Sequence, residues 1–117
     1  MTIKRLHTGP RMSQVVVHGQ TVYLAGQVAD QAKGKSVTDQ TKEILATIER
    51  LLKEAGSDKT KLLSATIYLV DMATFAEMNA VWEAWVPVGH APARATVEAK
   101  LAASAYTVEI ACIAATN

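Results

Sequence analysis

The sequence predicts an α+β domain in which two helices pack on one face of a mixed sheet. Three observations predict it. One long segment carries apolar residues at helical spacing, and a shorter one does the same. The segments around them alternate in polarity or are rich in β-branched residues. Residues 1–117 make one ordinary domain, and 50% of them are hydrophobic, enough to fill one core.

Ser13 to His18 is short and valine-rich, and Gly19-Gln20 separates it from Thr21 to Ala25. Two extended runs around a glycine-containing break predict a β-hairpin. Gly26 to Lys35 is polar, contains Gly34 and reads as a loop. Ser36 to Ala55 is the clearest helix. Its Ile44, Leu45, Ile48, Leu51, Leu52 and Ala55 form one stripe, and Gly56 is a natural stop. Lys61 to Val70 predicts a strand with Leu63, Ala65, Ile67 and Leu69 on one side and Ser64, Thr66 and Tyr68 on the other. Thr74-x-x-Glu77 has the form of a capping box for the second helix. There Phe75, Met78, Trp82 and Trp85 share a face, and Pro87 and Gly89 end it. Ala93 to Lys100 and Tyr106 to Ala115 are the last strands, and Leu101 to Ala105 is short enough to join them as a hairpin. The order is β-β-α-β-α-β-β. Helices on one face leave the other face open, and small or apolar residues there favour burial against another subunit.

Composition excludes several classes. The formal net charge is +1 with lysine and arginine dispersed, so no electrostatic footprint for nucleic acid is expected. No run approaches the ~20 apolar residues of a membrane helix, and Met1 to Pro10 lacks the apolar core of a signal peptide. The single cysteine, Cys112, cannot form an internal disulfide and sits in an apolar run as a buried hydrophobe would. A cytoplasmic location follows from that usage. There is no Gly-rich phosphate loop, and His7, His18 and His90 are too scattered to hold a metal.

The last two strands carry what chemistry remains. Alternation puts Arg94, Thr96 and Glu98 on one side of their strand and Thr107, Glu109 and Ala111 on one side of the next. In a hairpin, alignment of the apolar sides would bring Arg94, Thr96 and Glu109 together, with Arg94 diagonal to Glu109. Such a pair is either a cross-strand salt bridge or a carboxylate clamp beside a water-handling acid or base. Spacing leaves both open.

Five segments in order resemble the RidA/YjgF family. They are Gly9-Pro10-Arg11-Met12-Ser13-Gln14-Val15-Val16, Val22-Tyr23-Leu24-Ala25-Gly26-Gln27-Val28, Ala65 to Met72 with Met78-Asn79-Ala80-Val81-Trp82, Ala91 to Glu98, and Val108-Glu109-Ile110. The resemblance implies a chorismate-mutase-like fold, a homotrimer with sites in clefts between subunits, and hydrolysis of 2-imino acids to 2-oxo acids and ammonium without cofactor or metal. Matched position by position, Arg94 is similar to the arginine that clamps the substrate carboxylate and Glu109 to the glutamate that positions water. Asn79 resembles an asparagine at the pocket edge, Thr96 stands where many members have cysteine, and Gly26 matches a glycine at which the resemblance implies close approach of backbone to the ligand. Met12 takes the place of a pocket tyrosine, Ala25 that of a pocket serine, and Leu101-Ala102-Ala103 that of Leu-Pro-Lys, so substrate range is expected to differ. Two other readings are a carboxylate-binding protein without turnover and a protein-interaction module.

Overall fold

A computed structural model describes residues 1–117. Six strands form one sheet: β1 (Ile3–Thr8), β2 (Ser13–His18), β3 (Thr21–Leu24), β4 (Leu62–Leu69), β5 (Ala93–Glu98) and β6 (Val108–Ala115). Two helices, α1 (Val37–Glu54) and α2 (Phe75–Trp85), complete the α+β architecture. The sheet order is β1-β2-β3-β6-β4-β5. Neighbours are antiparallel except β4 and β5, which run parallel. The expected two-helix, mixed-sheet class is therefore observed, with the hairpin of β2 and β3 turning at Gly19-Gln20.

Two differences concern strands. β1 pairs along β2 as an edge strand. Its Lys4, Arg5 and His7 mask the apolar signal, as charges on edge strands commonly do. The last two strands do not form a hairpin. Instead, β4 lies between them, paired with β5 on one edge and β6 on the other. Helix α2 is the crossover that a parallel β4–β5 pair requires. The chain after β5 then passes the end of β4, where Ala99 N–H donates to the Leu69 carbonyl and Val70 N–H to that of Thr107.

Helix α1 forms where its stripe predicts, and Ile44, Leu45, Ile48, Leu51 and Leu52 are buried in the core. Ser36 Oγ caps it by accepting from Asp39 N–H at 3.1 Å. At the other end Gly56, at φ +81°, lets Ser57 N–H return to the Leu52 carbonyl at 2.8 Å, which closes the helix. The capping box expected at α2 is absent. Thr74 Oγ1 donates to the Asp71 carbonyl, and Glu77 reaches across to α1, accepting from Thr38 N–H at 2.9 Å and Thr38 Oγ1 at 2.8 Å. A carboxylate is favoured at either N-terminus by the helix dipole, and packing selected the neighbour's.

One sheet face meets the helices. Val15, Val22, Leu24, Ala65, Ile67, Leu69, Val108, Ile110, Cys112 and Ala114 are buried there with Met78 and Trp82 of α2. The expected inward Leu63 is 52% exposed, because the β4–β6 register shifts between Leu62 and Ser64 and turns Leu62 inward instead. Of the expected α2 stripe, Met78 and Trp82 are buried, Trp85 is half-buried and Phe75 is 39% exposed. No helix covers the opposite sheet face, where Tyr23, Thr66, Tyr68, Glu109, Ala111 and Val97 lie.

Candidate functional site

Arg94 is paired with Ala65, and Thr96 with Ile67, so both point to the helix-covered face. The Arg94 guanidinium stands 5.8 Å from the Phe75 ring centroid and 5.5 Å from that of Trp82. Ring faces attract a planar cation and restrict its swing. Phe75, Asn79 and Trp82 follow at helical spacing along α2, which sets half-buried Asn79 on the same stripe as the two rings. Thr96 Oγ1 is buried and has no hydrogen-bond partner. Arg94 and Thr96 thus lie on the face of β5 that α2 covers, and Asn79 lies on the stripe of α2 that carries the two rings.

Glu109 belongs elsewhere. It pairs with Tyr68, one residue out of phase with buried Ile67 and Leu69, and so projects from the open face. Along β4 the positions of Arg94 and Glu109 are three residues apart, and the two strands lie on opposite sides of β4. That is about 10 Å in each direction at ordinary strand spacings, with the sheet between the side chains. The expected juxtaposition of Arg94, Thr96 and Glu109 is therefore not made within one chain. It rested on hairpin pairing and on β5 burying Ala95 and Val97, whereas β5 turns those two to the open face. A salt bridge is excluded as well. Ion pairs join Arg50 to Glu54, and Lys53 and Lys59 to Glu49, and His7 Nε2 is hydrogen-bonded to Glu54, leaving Arg94 and Glu109 unpaired.

Gly26 accompanies Glu109. A methyl group on Gly26 would come 2.9 Å from the Glu109 carboxyl carbon and 3.2 Å from its Cγ, so the carboxylate occupies the space a side chain would need. Gln27, next along, exchanges backbone hydrogen bonds with Ile110 at 2.8 and 3.1 Å. Its buried side chain donates to Gln14 Oε1 at 2.8 Å and to the Ala25 carbonyl at 3.0 Å. Met12 is 48% exposed and lines a separate cleft with His7, Gly9, Pro10, Arg11 and Gln14. A groove of about 500 Å³ between α1 and α2 includes none of the six expected residues.

Sequence reasoning missed three residues of this neighbourhood. At helical spacing Phe75 and Trp82 read as core stripe and not as partners of Arg94; their placement seven residues apart on the helix that precedes the arginine strand is the available signal. Gln27 falls in the Val22 to Val28 segment, but nothing local marks it as a buried, bracing glutamine. Cys112 behaves as expected: burial pushes its thiol up to about 12, far from any reactive thiolate.

The sequence profile of the family described as endoribonuclease L-PSP matches residues 2–116. A RutC family protein of Haemophilus influenzae is 44% identical over 114 residues, covering 97% of this chain and 98% of that protein. The chain belongs to the RidA/YjgF family. A crystal structure of a YjgF-family protein from Neisseria meningitidis superposes on this RidA-family chain with a TM-score of 0.96 at 44% identity, covering 100% of this chain and 97% of that one. A goat protein named 2-iminobutanoate/2-iminopropanoate deaminase is 34% identical over 107 residues, covering 87% of this chain and 77% of that protein. No helix of this RidA-family chain is long and apolar enough to cross a membrane.

Proposed function

We propose that the chain, as a single RidA-like domain, hydrolyses 2-imino acids to 2-oxo acids and ammonium in a site completed by a second copy of itself. The observation that carries the reading is Arg94: a half-buried guanidinium held over two aromatic rings with no carboxylate partner of its own. A free arginine fork suits a substrate carboxylate, to which it can donate two parallel hydrogen bonds. The resemblance to the goat protein supports the same chemistry.

In this mechanism Arg94 of one copy orients the protonated imine, with Asn79 and Thr96 beside the substrate. Glu109 of another copy, with Gly26 against it, holds a water that attacks the C=N carbon. A water proton passes to Glu109 as the carbon–oxygen bond forms and then to the imine nitrogen. The carbinolamine collapses to the 2-oxo acid as the carbon–nitrogen bond breaks, and ammonia leaves with the remaining proton as ammonium. Water and side chains supply every atom and proton. Met12, exposed near the N-terminus, would border the cleft from the second copy. A homotrimer is the assembly this reading takes from the family, and the uncovered sheet face, where Ala95, Val97, Ala111 and Ile113 lie beside Tyr23 and Tyr68, supports it. Its setting is the cytoplasm, where the lone thiol stays reduced.

A second reading is favoured by the same geometry. A chain that stays alone has the arginine half-site without the glutamate, and so could bind a carboxylate without turnover. The interaction-module reading gains nothing from Trp82, which is only 5% exposed. Nucleolytic action, suggested by the family's description, has no support from a formal net charge of +1.

The test is release of 2-oxo acid and ammonium from a panel of freshly generated 2-imino acids. Acceleration by wild type and its loss in Arg94→Ala are expected. Equal rates with and without protein would refute the deaminase reading.

A further inference from the structure

We infer that Gly26 is a positioning residue for the Glu109 carboxylate: its missing side chain is the space in which that carboxylate is held. The inference rests on the reading of Glu109 as the water-holding group.

Glu109 makes no ion pair, so charge does not fix its carboxylate in the chain. What confines it on one side is the bare Cα of Gly26, with room for the carboxylate only because no Cβ is there. Backbone conformation does not explain this glycine. Gly19, Gly34, Gly56 and Gly89 have positive φ angles, and Gly26 does not. Alanine could adopt the backbone at position 26 without strain.

The backbone here cannot easily retreat from an added methyl. Gln27 is tied to Ile110 by two backbone hydrogen bonds, Ala25 N–H donates to the Gln14 carbonyl at 2.9 Å, and the Gln27 amide braces both neighbours. The Glu109 side chain is therefore the part that yields. A carboxylate at the end of a flexible chain moves at little cost in stability, so Gly26→Ala should fold and assemble as wild type does. It should nevertheless shift the group that handles water.

The experiment is a double-substitution cycle on the full chain: wild type, Gly26→Ala, Glu109→Gln and the combination. Kinetics with a 2-imino acid, assembled mass and melting temperature are read for all four. A misplacement of ~1 Å in a reacting group can cost about 100-fold, so Gly26→Ala should lower kcat roughly 10- to 100-fold. KM should change less than kcat does, because the arginine half-site is untouched. In the Glu109→Gln background the same substitution should cost little further, since two changes to one functional unit do not add. A structural defect would instead lower the melting temperature or the assembled mass and multiply with Glu109→Gln. That result, or a Gly26→Ala protein with wild-type kcat, overturns the inference.

A carboxyl-labelled NMR spectrum of Glu109 separates this inference from the deaminase reading. If wild type hydrolyses no imino acid, the deaminase reading fails while a moved Glu109 resonance in Gly26→Ala still upholds the positioning contact. An unmoved resonance overturns the contact whatever the activity.

Discussion

Arg94 and Glu109 are each unpaired, and the two should fail differently when altered. Losing one partner of a buried, hydrogen-bonded charge pair costs ~2–5 kcal/mol, so Arg94→Ala should lower kcat/KM roughly 30-fold to several thousand-fold. Arg94→Lys should recover little, because an ammonium lacks the planar fork. Glu109→Gln should leave KM near wild type and reduce kcat; steady-state kinetics of the three variants read both effects. A second residue-level prediction concerns Cys112, whose thiol is pushed from an ordinary 9.0 up to about 12 by burial. The unfolded chain therefore ionises at lower pH than the folded one. The thiol's contribution to stability is complete below pH 9 and is lost as pH rises toward 12, which thermal unfolding across alkaline pH would record. Below that window, alkylating reagents should leave both thiol and activity intact. Residue types were legible in the sequence to this extent: an arginine fork, a carboxylate and an inert thiol all have chemistry that neighbours modify but do not create. Which of them share a cavity was not legible, because that depends on which strands are neighbours.

The elements show why. Alternation in β5 and β6 was read correctly strand by strand, yet period two does not say which strand lies alongside which. A parallel partner joined through α2 displaced the short-range hairpin, and with it the register linking Thr96 to Glu109. The clear amphipathic period of α1 left no comparable freedom, so its bounds were readable within a residue or two. A long-range bond set stayed invisible for the same reason. Buried Gln40 of α1 donates to the Lys35 and Ala105 carbonyls at 3.0 and 2.9 Å and accepts from Thr107 N–H at 2.9 Å, fastening the β5–β6 connection to the helix. In the sequence it is one polar residue beside an apolar stripe. Gln40→Leu keeps the volume and strands the Thr107 N–H, at a cost of ~1–3 kcal/mol. Denaturant unfolding should show that loss, with β6 and the turn before it exchanging amide hydrogen faster than β2.

Across the whole molecule, the helix-covered face carries Arg94 and the open face carries Glu109. If the working site joins one half from each of two copies, inactive variants should complement one another. Arg94→Ala and Glu109→Gln proteins, unfolded together and reassembled, should regain a share of wild-type activity, while each alone should not. Light scattering of the mixture should give about three times the 12.5 kDa chain mass. An active monomer would defeat the shared site. The expectation of a second subunit came from an uncovered sheet face, a feature the element pattern made visible before any strand order was known.

The separation of Arg94 from Glu109 by the thickness of the sheet has a kinetic meaning as well. If turnover needs both groups, a lone chain can complete its own core, bury Trp82 and still be unable to turn over substrate. After dilution from denaturant, the tryptophan signal should therefore return at a rate independent of protein concentration. Catalysis should lag behind it, with a delay that shortens as chains become more abundant. In a growing cell, the first copies made would be folded and idle until they met their own kind.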